Sequence, residues 1–412
     1  MSALILIGDG RVLLGELPGG SVQCVVTSPP YWGLRSYLAA DDPNKHLEIG
    51  QEPTLEAYVE NLVGLFRAVW RVLHPTGTVF LNLGDAYANT GTGGPNTGLA
   101  ALADQYAPRT LARNPTSDEQ GAVKRGPKKI PTGLKHKDLL MLPARVALAL
   151  QADGWWIRSH IAWVKDCGMP ESVKDRPTQR WESVFVLTKN EAYFWDQIGA
   201  AEPSVSVDPK HPSFRPNSVE IAKRGRKTFS AKNVESMRSY SATRNMTNVW
   251  RINPKPFKGA HFATFPPDLP RKAIQAATSD AGCCPSCRSP FRRIIEKGDP
   301  DLEHQLACGS DVAGEYDGQA TKDYSAAGVQ NASDVKRRIL AGMVKKTTIG
   351  WEPTCQCPPL PPVPCLVLDP FGGSGTTGAV AEQMGRDSIM VDLKPEYVAM
   401  AIKRLGRKCS LS

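Results

Sequence analysis

Three short stretches hold residues whose types and spacing could do chemistry. The first is Thr27-Ser28-Pro29-Pro30-Tyr31-Trp32, which follows the apolar run Val25-Val26. Proline cannot continue a strand ladder, and it restricts both its own φ and the residue before it. The pair Pro29-Pro30 therefore fixes a hydroxyl, Ser28, beside two aromatic rings at the end of a strand. The second stretch is Leu366-Val-Leu-Asp369-Pro370-Phe371-Gly372-Gly373-Ser374-Gly375-Thr376-Thr377-Gly378, with Asp392 ending the next apolar run. Residues 373–378 match G-x-G-x-x-G, whose glycines allow a tight turn and close backbone approach to a ligand, while a later acid can bind ribose hydroxyls. The third is a pair of cysteine clusters, Cys284-Pro-Ser-Cys287 and Cys355-Gln-Cys357. Two such pairs on turns can complete a tetrahedral thiolate zinc site, closed and therefore structural. Cys283 could replace Cys284, and His304 or Cys308 could compete for a place.

The glycine turn alone admits a nicotinamide or flavin dinucleotide and hence an oxidoreductase. No lysine follows it, which excludes a triphosphate loop of the G-K-[ST] type. Asp369 at the strand tip changes the balance. A carboxylate there repels a pyrophosphate and attracts an ammonium or sulfonium group, which favours S-adenosyl-L-methionine. A non-catalytic zinc-bearing nucleic-acid module would account for the charge and the cysteines but would leave Ser28 and Asp369 idle.

The elements that must position these groups are legible in the periodicity. Apolar residues at 55, 58, 62, 65, 66, 69 and 73 form a helical stripe, which His74-Pro-Thr-Gly77 is expected to stop before a strand over 78–85. Asp138 is expected to cap a helix ending before Gly154. Residues 155–164 and 182–188 read as strands, and 266–278 as a short helix. The final stretch alternates strand, helix, strand, helix, the pattern of a parallel sheet covered by helices. Residues 88–133 and 200–248 lose periodicity and are basic, the second through Lys210, Arg215, Lys223, Arg224, Arg226 and Lys227. Such segments contact phosphates, which confers affinity without sequence information.

The chain has 412 residues, 41% hydrophobic, with a formal charge of +9. An acidic partner, nucleic acid above all, is expected from that balance. No apolar run approaches a membrane span, and the N-terminus lacks a basic region preceding an apolar one. A cytoplasmic location and reduced cysteines are expected.

Taken together, "LVLDPFGGSGTTG…GR…IMVDLKPEYVAMAIKRL" resembles the cofactor motif of bacterial and phage DNA amino-methyltransferases, and "TSPPYW" resembles their catalytic motif. "GAHFATFPPDLPRKAI" (259–274) is similar to the segment that precedes the cofactor loop. The order, catalytic motif first and cofactor motif last, resembles the circularly permuted β-type arrangement. The resemblance implies an α/β Rossmann-like S-adenosylmethionine-dependent methyltransferase fold, its mostly parallel sheet covered by helices on both faces, with inserted target-recognition and zinc-ribbon-like segments. Its implied parts are a catalytic half (1–87), a basic insertion (88–136), more of the core (137–199), a candidate target-recognition region (200–248), a cofactor-closing segment (249–280), a cysteine-rich insertion (281–360) and the cofactor-binding half (361–412).

By that resemblance Asp369 holds the methionine ammonium and Asp392 the ribose hydroxyls. Phe371 and Phe265 line the cofactor, and the backbone of Gly373, Ser374, Gly375 and Thr376 lies close against it. Asp9 sits either near the adenine or as a turn former. Ser28 Oγ and the Pro29 carbonyl, stiffened by Pro30, accept from the N–H groups of an exocyclic amine, while Tyr31 stacks on a base flipped out of the duplex, worth about 1–3 kcal/mol. Double-stranded DNA is the implied partner. The resemblance admits a cognate restriction endonuclease and a homodimer, and it implies no membrane. A neutral Ser28 resembles the S-P-P-Y form commoner among cytosine-N4 enzymes, with adenine-N6 as the alternative. Pro364-Cys365 superficially fits a cytosine-C5 nucleophile, but Cys365 begins the strand leading to Asp369 and is expected to be buried.

Overall fold

A computed structural model of the chain describes residues 3–34, 36–88, 130–167, 171, 173–203, 243–254, 265–300 and 344–406. Most of the two basic stretches, including Lys210, Arg215, Lys223, Arg224, Arg226 and Lys227, lies outside the described residues, as do His304 and Cys308. In chain order the elements are β1 (Ala3–Ile7), α1 (Gly10–Glu16), β2 (Val22–Thr27), α2 (Leu55–Val72), β3 (Leu73–Leu83), α3 (Leu142–Ala152), β4 (Trp156–Val164), β5 (Trp181–Thr188), β6 (Glu202–Pro203), β7 (Thr243–Arg244), β8 (Val249–Arg251), α4 (Asp268–Ala277), β9 (Phe291–Pro300), β10 (Val344–Pro353), β11 (Leu366–Asp369), α5 (Thr376–Gln383), β12 (Asp387–Asp392) and α6 (Pro395–Arg404).

The chain divides into two compact units. The first, Met1–Asp196, Thr247–Pro290 and Pro353–Ser412, is built on an eight-stranded sheet ordered β1-β12-β11-β2-β3-β5-β4-β8. Its strands run parallel except β5, which is antiparallel to both neighbours. The second unit, Gln197–Met246 and Phe291–Glu352, contains two ribbons, β6 with β7 and β9 with β10. In the latter, Arg293 lies 4.3 Å over the Trp351 ring, and Arg292 pairs with Glu352 at 2.6 Å.

Alternation along the strands separates two cores. Ile389 and Val391 of β12 face the cluster formed by α1, α2 and α3, whereas Met390 between them packs with Ala401 of α6. The central strand β2 is buried at every position, as a strand covered on both faces requires. α2 follows its stripe: Leu55, Tyr58, Leu62, Leu65, Phe66 and Val69 are all buried, and Thr54 Oγ1 accepts from Ala57 N as its cap.

The chain order of the sheet explains the permuted motifs. β11, near the C-terminus, pairs with β12 on one side and with β2 on the other. The strand carrying Asp369 thus lies beside the strand that ends in Thr27. Ligands of open α/β sheets bind at such carboxyl ends.

Two sequence readings need correction. His74-Pro-Thr-Gly77 does not separate helix from strand, because β3 already begins at Leu73. Val22 pairs with Leu73 and Cys24 with Thr78, so the tetrapeptide is absorbed as an irregularity in the ladder. Nor does Asp138 cap α3. Its carboxylate accepts from Lys135 N, and α3 starts at Leu142 with Pro143 in its first turn, where no N–H is needed. Asp85, two residues past β3, supplies the acceptor instead, binding Leu142 N at 3.0 Å and Ala86 N at 2.9 Å.

Across the sheet from α2, fully buried Phe80 stacks between Trp195 and Trp250, with ring centroids 6.3 and 6.1 Å away. This trio ties β3 to β8 and to the segment after β5. Phe80→Ala removes the middle ring and should cost about 3–5 kcal/mol, read as a lower urea midpoint. An unchanged midpoint would show that the trio contributes nothing to the core.

Candidate active site

The carboxyl ends of β1, β2, β3, β11 and β12, with the start of β5, surround a cavity of about 400 Å³. It is lined by Asp9, Ser28, Pro29, Pro30, Tyr31, Phe265, Asp369, Phe371, Gly373, Ser374, Thr376 and Asp392. The two motifs, hundreds of positions apart in the chain, thus open into one space. Gly375 alone among the residues expected to hold the cofactor or the base does not line it. Its φ of +77° suits glycine, and a Cβ there would lie 2.9 Å from that of Ala401, so it is needed for packing on α6.

Asp369 is not simply a carboxylate facing outward from a strand tip. It is only 1% exposed. Oδ1 accepts from Thr27 Oγ1 at 2.8 Å and from Phe371 N at 3.1 Å, and Oδ2 accepts from Thr377 Oγ1 at 2.7 Å. Burial pushes its pKa up to about 6, against the pull of these donors. Asp392 clasps the glycine turn from β12: Oδ2 accepts from Gly373 N at 2.8 Å and Oδ1 from Lys394 N at 2.9 Å. Burial raises its pKa as well. Asp9 takes the turn-forming place, capping α1 through Arg11 N and pairing with the Arg11 guanidinium at 2.7 Å.

The Pro-Pro corner is buttressed from several sides. Tyr58 Oη donates to the Pro30 carbonyl at 2.9 Å, and Trp32 Nε1 to the Glu52 carbonyl at 2.9 Å. Gly50, at φ +100°, lies against Pro30, where a Cβ would come within 3.1 Å of the proline's own. The Tyr31 ring packs on Gly84, where a Cβ would fall 2.5 Å from Cε2.

Sequence reasoning missed the polar groups behind the corner. Ser28 Oγ donates to Asn82 Oδ1 at 3.0 Å. Asn82 Nδ2 is held by the Ser183 carbonyl and by Glu182 Oε2, each at 3.2 Å. Tyr31 Oη donates to Glu182 Oε2 at 2.9 Å, and Lys165 Nζ is paired with Glu182 Oε1. Asn82, Lys165 and Glu182 all line the cavity, along with Trp163. Their only signal in the sequence was position: Asn82 and Glu182 fall near the predicted ends of strands, where an open sheet gathers its ligands.

The four cysteines meet. The Sγ atoms of Cys284, Cys287, Cys355 and Cys357 all lie within 4.8 Å of one another. A tetrahedron with Zn–S of about 2.3 Å needs sulfurs about 3.8 Å apart. Cys287 Sγ is 3.3 Å from Ser289 Oγ. Cys283 is excluded from the group, since its backbone pairs with Val363 at 2.8 and 2.9 Å and its thiol faces the Pro364 carbonyl. Cys365 is fully buried, with its pKa raised by Cys283 and by burial, which fits a packing role and not a nucleophile. No helix among the described residues is long and apolar enough to cross a membrane.

Residues 22–284 and 365–403 match the family model for N6/N4 methyltransferases, described as DNA methylase. The Type II methyltransferase M.XycI of Xanthomonas campestris pv. cyanopsidis is 33% identical over 398 residues, covering 97% of this chain and 86% of its own. M.Cfr9I of Citrobacter freundii, also a Type II methyltransferase, is 32% identical over 403 residues, covering 98% and 87%. A solved structure titled PvuII DNA methyltransferase (cytosine-N4-specific) aligns over 100% of this chain and 89% of its own, at 17% identity and a TM-score of 0.47. With its two motifs brought into one cavity and its matches spanning nearly the whole chain, the protein belongs to the DNA methylase family of N6 and N4 amino-methyltransferases.

Proposed function

We propose that this chain is a site-specific DNA methyltransferase that moves the methyl group of S-adenosyl-L-methionine to the N4 amine of cytosine in double-stranded DNA, and that it works alongside a cognate restriction endonuclease. The observation that carries the reading is the opening of the Ser28 hydroxyl and the Asp369 carboxylate into the same cavity.

The residues present fit the cofactor. Two carboxylates at adjacent strand ends, Asp369 and Asp392, supply acceptors for an ammonium and for ribose hydroxyls, and Phe371 and Phe265 give the cavity apolar wall. Asp392 has each oxygen bonded once to a backbone N–H, which leaves further lone pairs for a ligand. When bound, S-adenosylmethionine supplies an electrophilic methyl group on sulfur, the difficult part of the chemistry.

The protein's task is then placement, which lowers such a barrier by about 7–11 kcal/mol. An exocyclic amine delocalises its lone pair into the ring and is a poor nucleophile. Acceptors on its N–H groups draw it towards tetrahedral geometry. Ser28 gives its own hydrogen to Asn82, so the lone pairs of Oγ are offered to the amine. The Pro30 carbonyl is taken by Tyr58, and Pro29 offers the second acceptor. Tyr31, fixed on Gly84, is the stacking surface for the extruded base.

The four-thiolate cluster is a structural zinc site by this reading. Its donor set is closed, with four sulfurs and no open position for a reactant.

Three outcomes follow. Asp369→Asn keeps the shape and lets the amide pair with Thr27 and Thr377, so the protein should remain folded while cofactor affinity drops about 10–100-fold. The charged carboxylate is the binding form, and its pKa is about 6. Wild-type affinity should therefore weaken as pH falls through that value, and the variant's should not. Calorimetry in which the two proteins behave alike would remove Asp369 from the cofactor site. Nucleoside mass spectrometry of DNA methylated in vitro should show N4-methylcytosine, with product lost in Ser28→Ala while cofactor binding persists. N6-methyladenine in its place would reassign the base. Elemental analysis of reduced protein should find about one zinc per chain, lost on changing Cys284 and Cys287 to serine, and chelation should loosen the cysteine-bearing segments first. Metal-free protein with unaltered stability would refute the site.

A further inference from the structure

The transfer reading above leaves a proton unassigned. As the amine lone pair forms the new N–C bond, the C–S bond breaks and its electron pair stays on sulfur, so positive charge moves to nitrogen. One N–H bond must then give its electrons back to nitrogen and release a proton. Ser28 touches that hydrogen, but a serine cannot keep it.

Behind Ser28 lies a chain of hydroxyls ending in a carboxylate. Ser28 Oγ is 3.4 Å from Tyr31 Oη, and Tyr31 Oη donates to Glu182 Oε2 at 2.9 Å. Tyr31 is set up to pass a proton on rather than lose one. Burial, then the Glu182 charge, hold its phenol well above the ordinary value, so it releases its hydrogen only while receiving another. Asn82 cannot serve as the acceptor, because an amide oxygen is not a base at neutral pH. Its Nδ2 instead fixes the same Glu182 oxygen at 3.2 Å. The Glu182 side chain is 20% exposed, which gives the proton a way out to solvent.

We propose that Glu182 is the terminal proton acceptor of methyl transfer, reached through Ser28 Oγ and Tyr31 Oη. The amine proton goes to Ser28 Oγ as the serine hydrogen turns from Asn82 to Tyr31 Oη. The Tyr31 hydrogen passes to Glu182 Oε2, and carboxylate becomes carboxylic acid. Serine and tyrosine end as they began. Among the described residues, the titratable groups paired with Glu182 are Lys165, just past β4, and Tyr31 from the β2 corner, with neutral Asn82 from β3 between them. Lys165 Nζ pairs with the other carboxylate oxygen, Oε1, and leaves Oε2 to Tyr31. Glu182 acts through other residues and is therefore a positioning and relay group, distinct from the corner that holds the base.

The test pairs single-turnover methylation, at saturating cofactor and DNA, with a measurement that needs neither. Glu182→Gln preserves volume and an acceptor for Tyr31. It should leave both dissociation constants unchanged, slow transfer about 10²-fold, and abolish the acidic limb of the pH–rate profile. In protein labelled with carbon-13 at the tyrosine ζ position, the Tyr31 signal should titrate with one carboxylate and cease to do so in Glu182→Gln. A Glu182→Gln rate within about threefold of wild type, or a slowed rate with the acidic limb retained, would overturn the relay. A Tyr31 signal that titrates identically in both proteins would do the same. Wild-type protein that methylates no exocyclic amine at all would instead sink the transfer reading, so the two failures are distinguishable.

Discussion

One buried carboxylate sets the geometry on which both halves of this site depend. Asp369 receives the Thr27 hydroxyl from the end of β2 and the Thr377 hydroxyl from the first turn of α5. Thr27 is immediately followed by the Pro-Pro corner, and Thr377 lies in the helix entered from the glycine turn. A single side chain thereby fixes the Pro-Pro corner relative to the glycine turn. Desolvation favours the neutral acid and three donors favour the anion, and the balance leaves the group near its midpoint just below neutrality. Buried polar networks of this kind rigidify when every member is satisfied. Each Asp369 oxygen has a partner, and each threonine hydroxyl has an acceptor.

What the sequence revealed and what it hid divide along the same line. That Ser28, Asp369 and Asp392 share one cavity was legible from their neighbours in the chain: two prolines, a glycine turn, a strand tip. The meeting of the four cysteines was legible because two close-spaced pairs on turns can converge. Glu182 was not, since nothing in Arg180-Trp-Glu-Ser183 signals that antiparallel pairing with β3 will place it beside Asn82. Thr27 and Thr377 read as ordinary strand and turn residues until β11 and β2 are seen side by side. The misread helix cap has the same cause. Asp138 looked like a local cap, yet the partner of Leu142 N comes from Asp85, brought there by tertiary packing. His74-Pro-Thr-Gly77 looked like a stop signal, but the partner strand β2 supplies enough ladder to carry the chain through it.

The opposite end of the same strands is also built from long-range polar contacts. Gln23, buried in β2, donates to the Arg288 carbonyl in the cysteine-bearing turn and accepts from Leu366 N at the start of β11. Ser289 Oγ lies 3.4 Å from His74 Nε2 at the start of β3, and His74 is itself held by Thr76. The four sulfurs therefore sit where two central strands begin, while the cavity sits where those strands end.

The position of β11 has a consequence for how the molecule is made. Thr27 and Asp369 are separated by 342 positions, yet they are hydrogen-bonded neighbours in the middle of the sheet. During translation β2 and β3 emerge early, and one edge of β2 stays unpaired until its partner arrives. At about 5–20 residues per second, that edge is exposed for about 20–70 s. An open edge strand rich in apolar residues invites pairing with other chains. That edge must stay shielded until β11 emerges to pair with it. The Pro-Pro corner and the glycine turn first meet only once the 342 positions between Thr27 and Asp369 have been made.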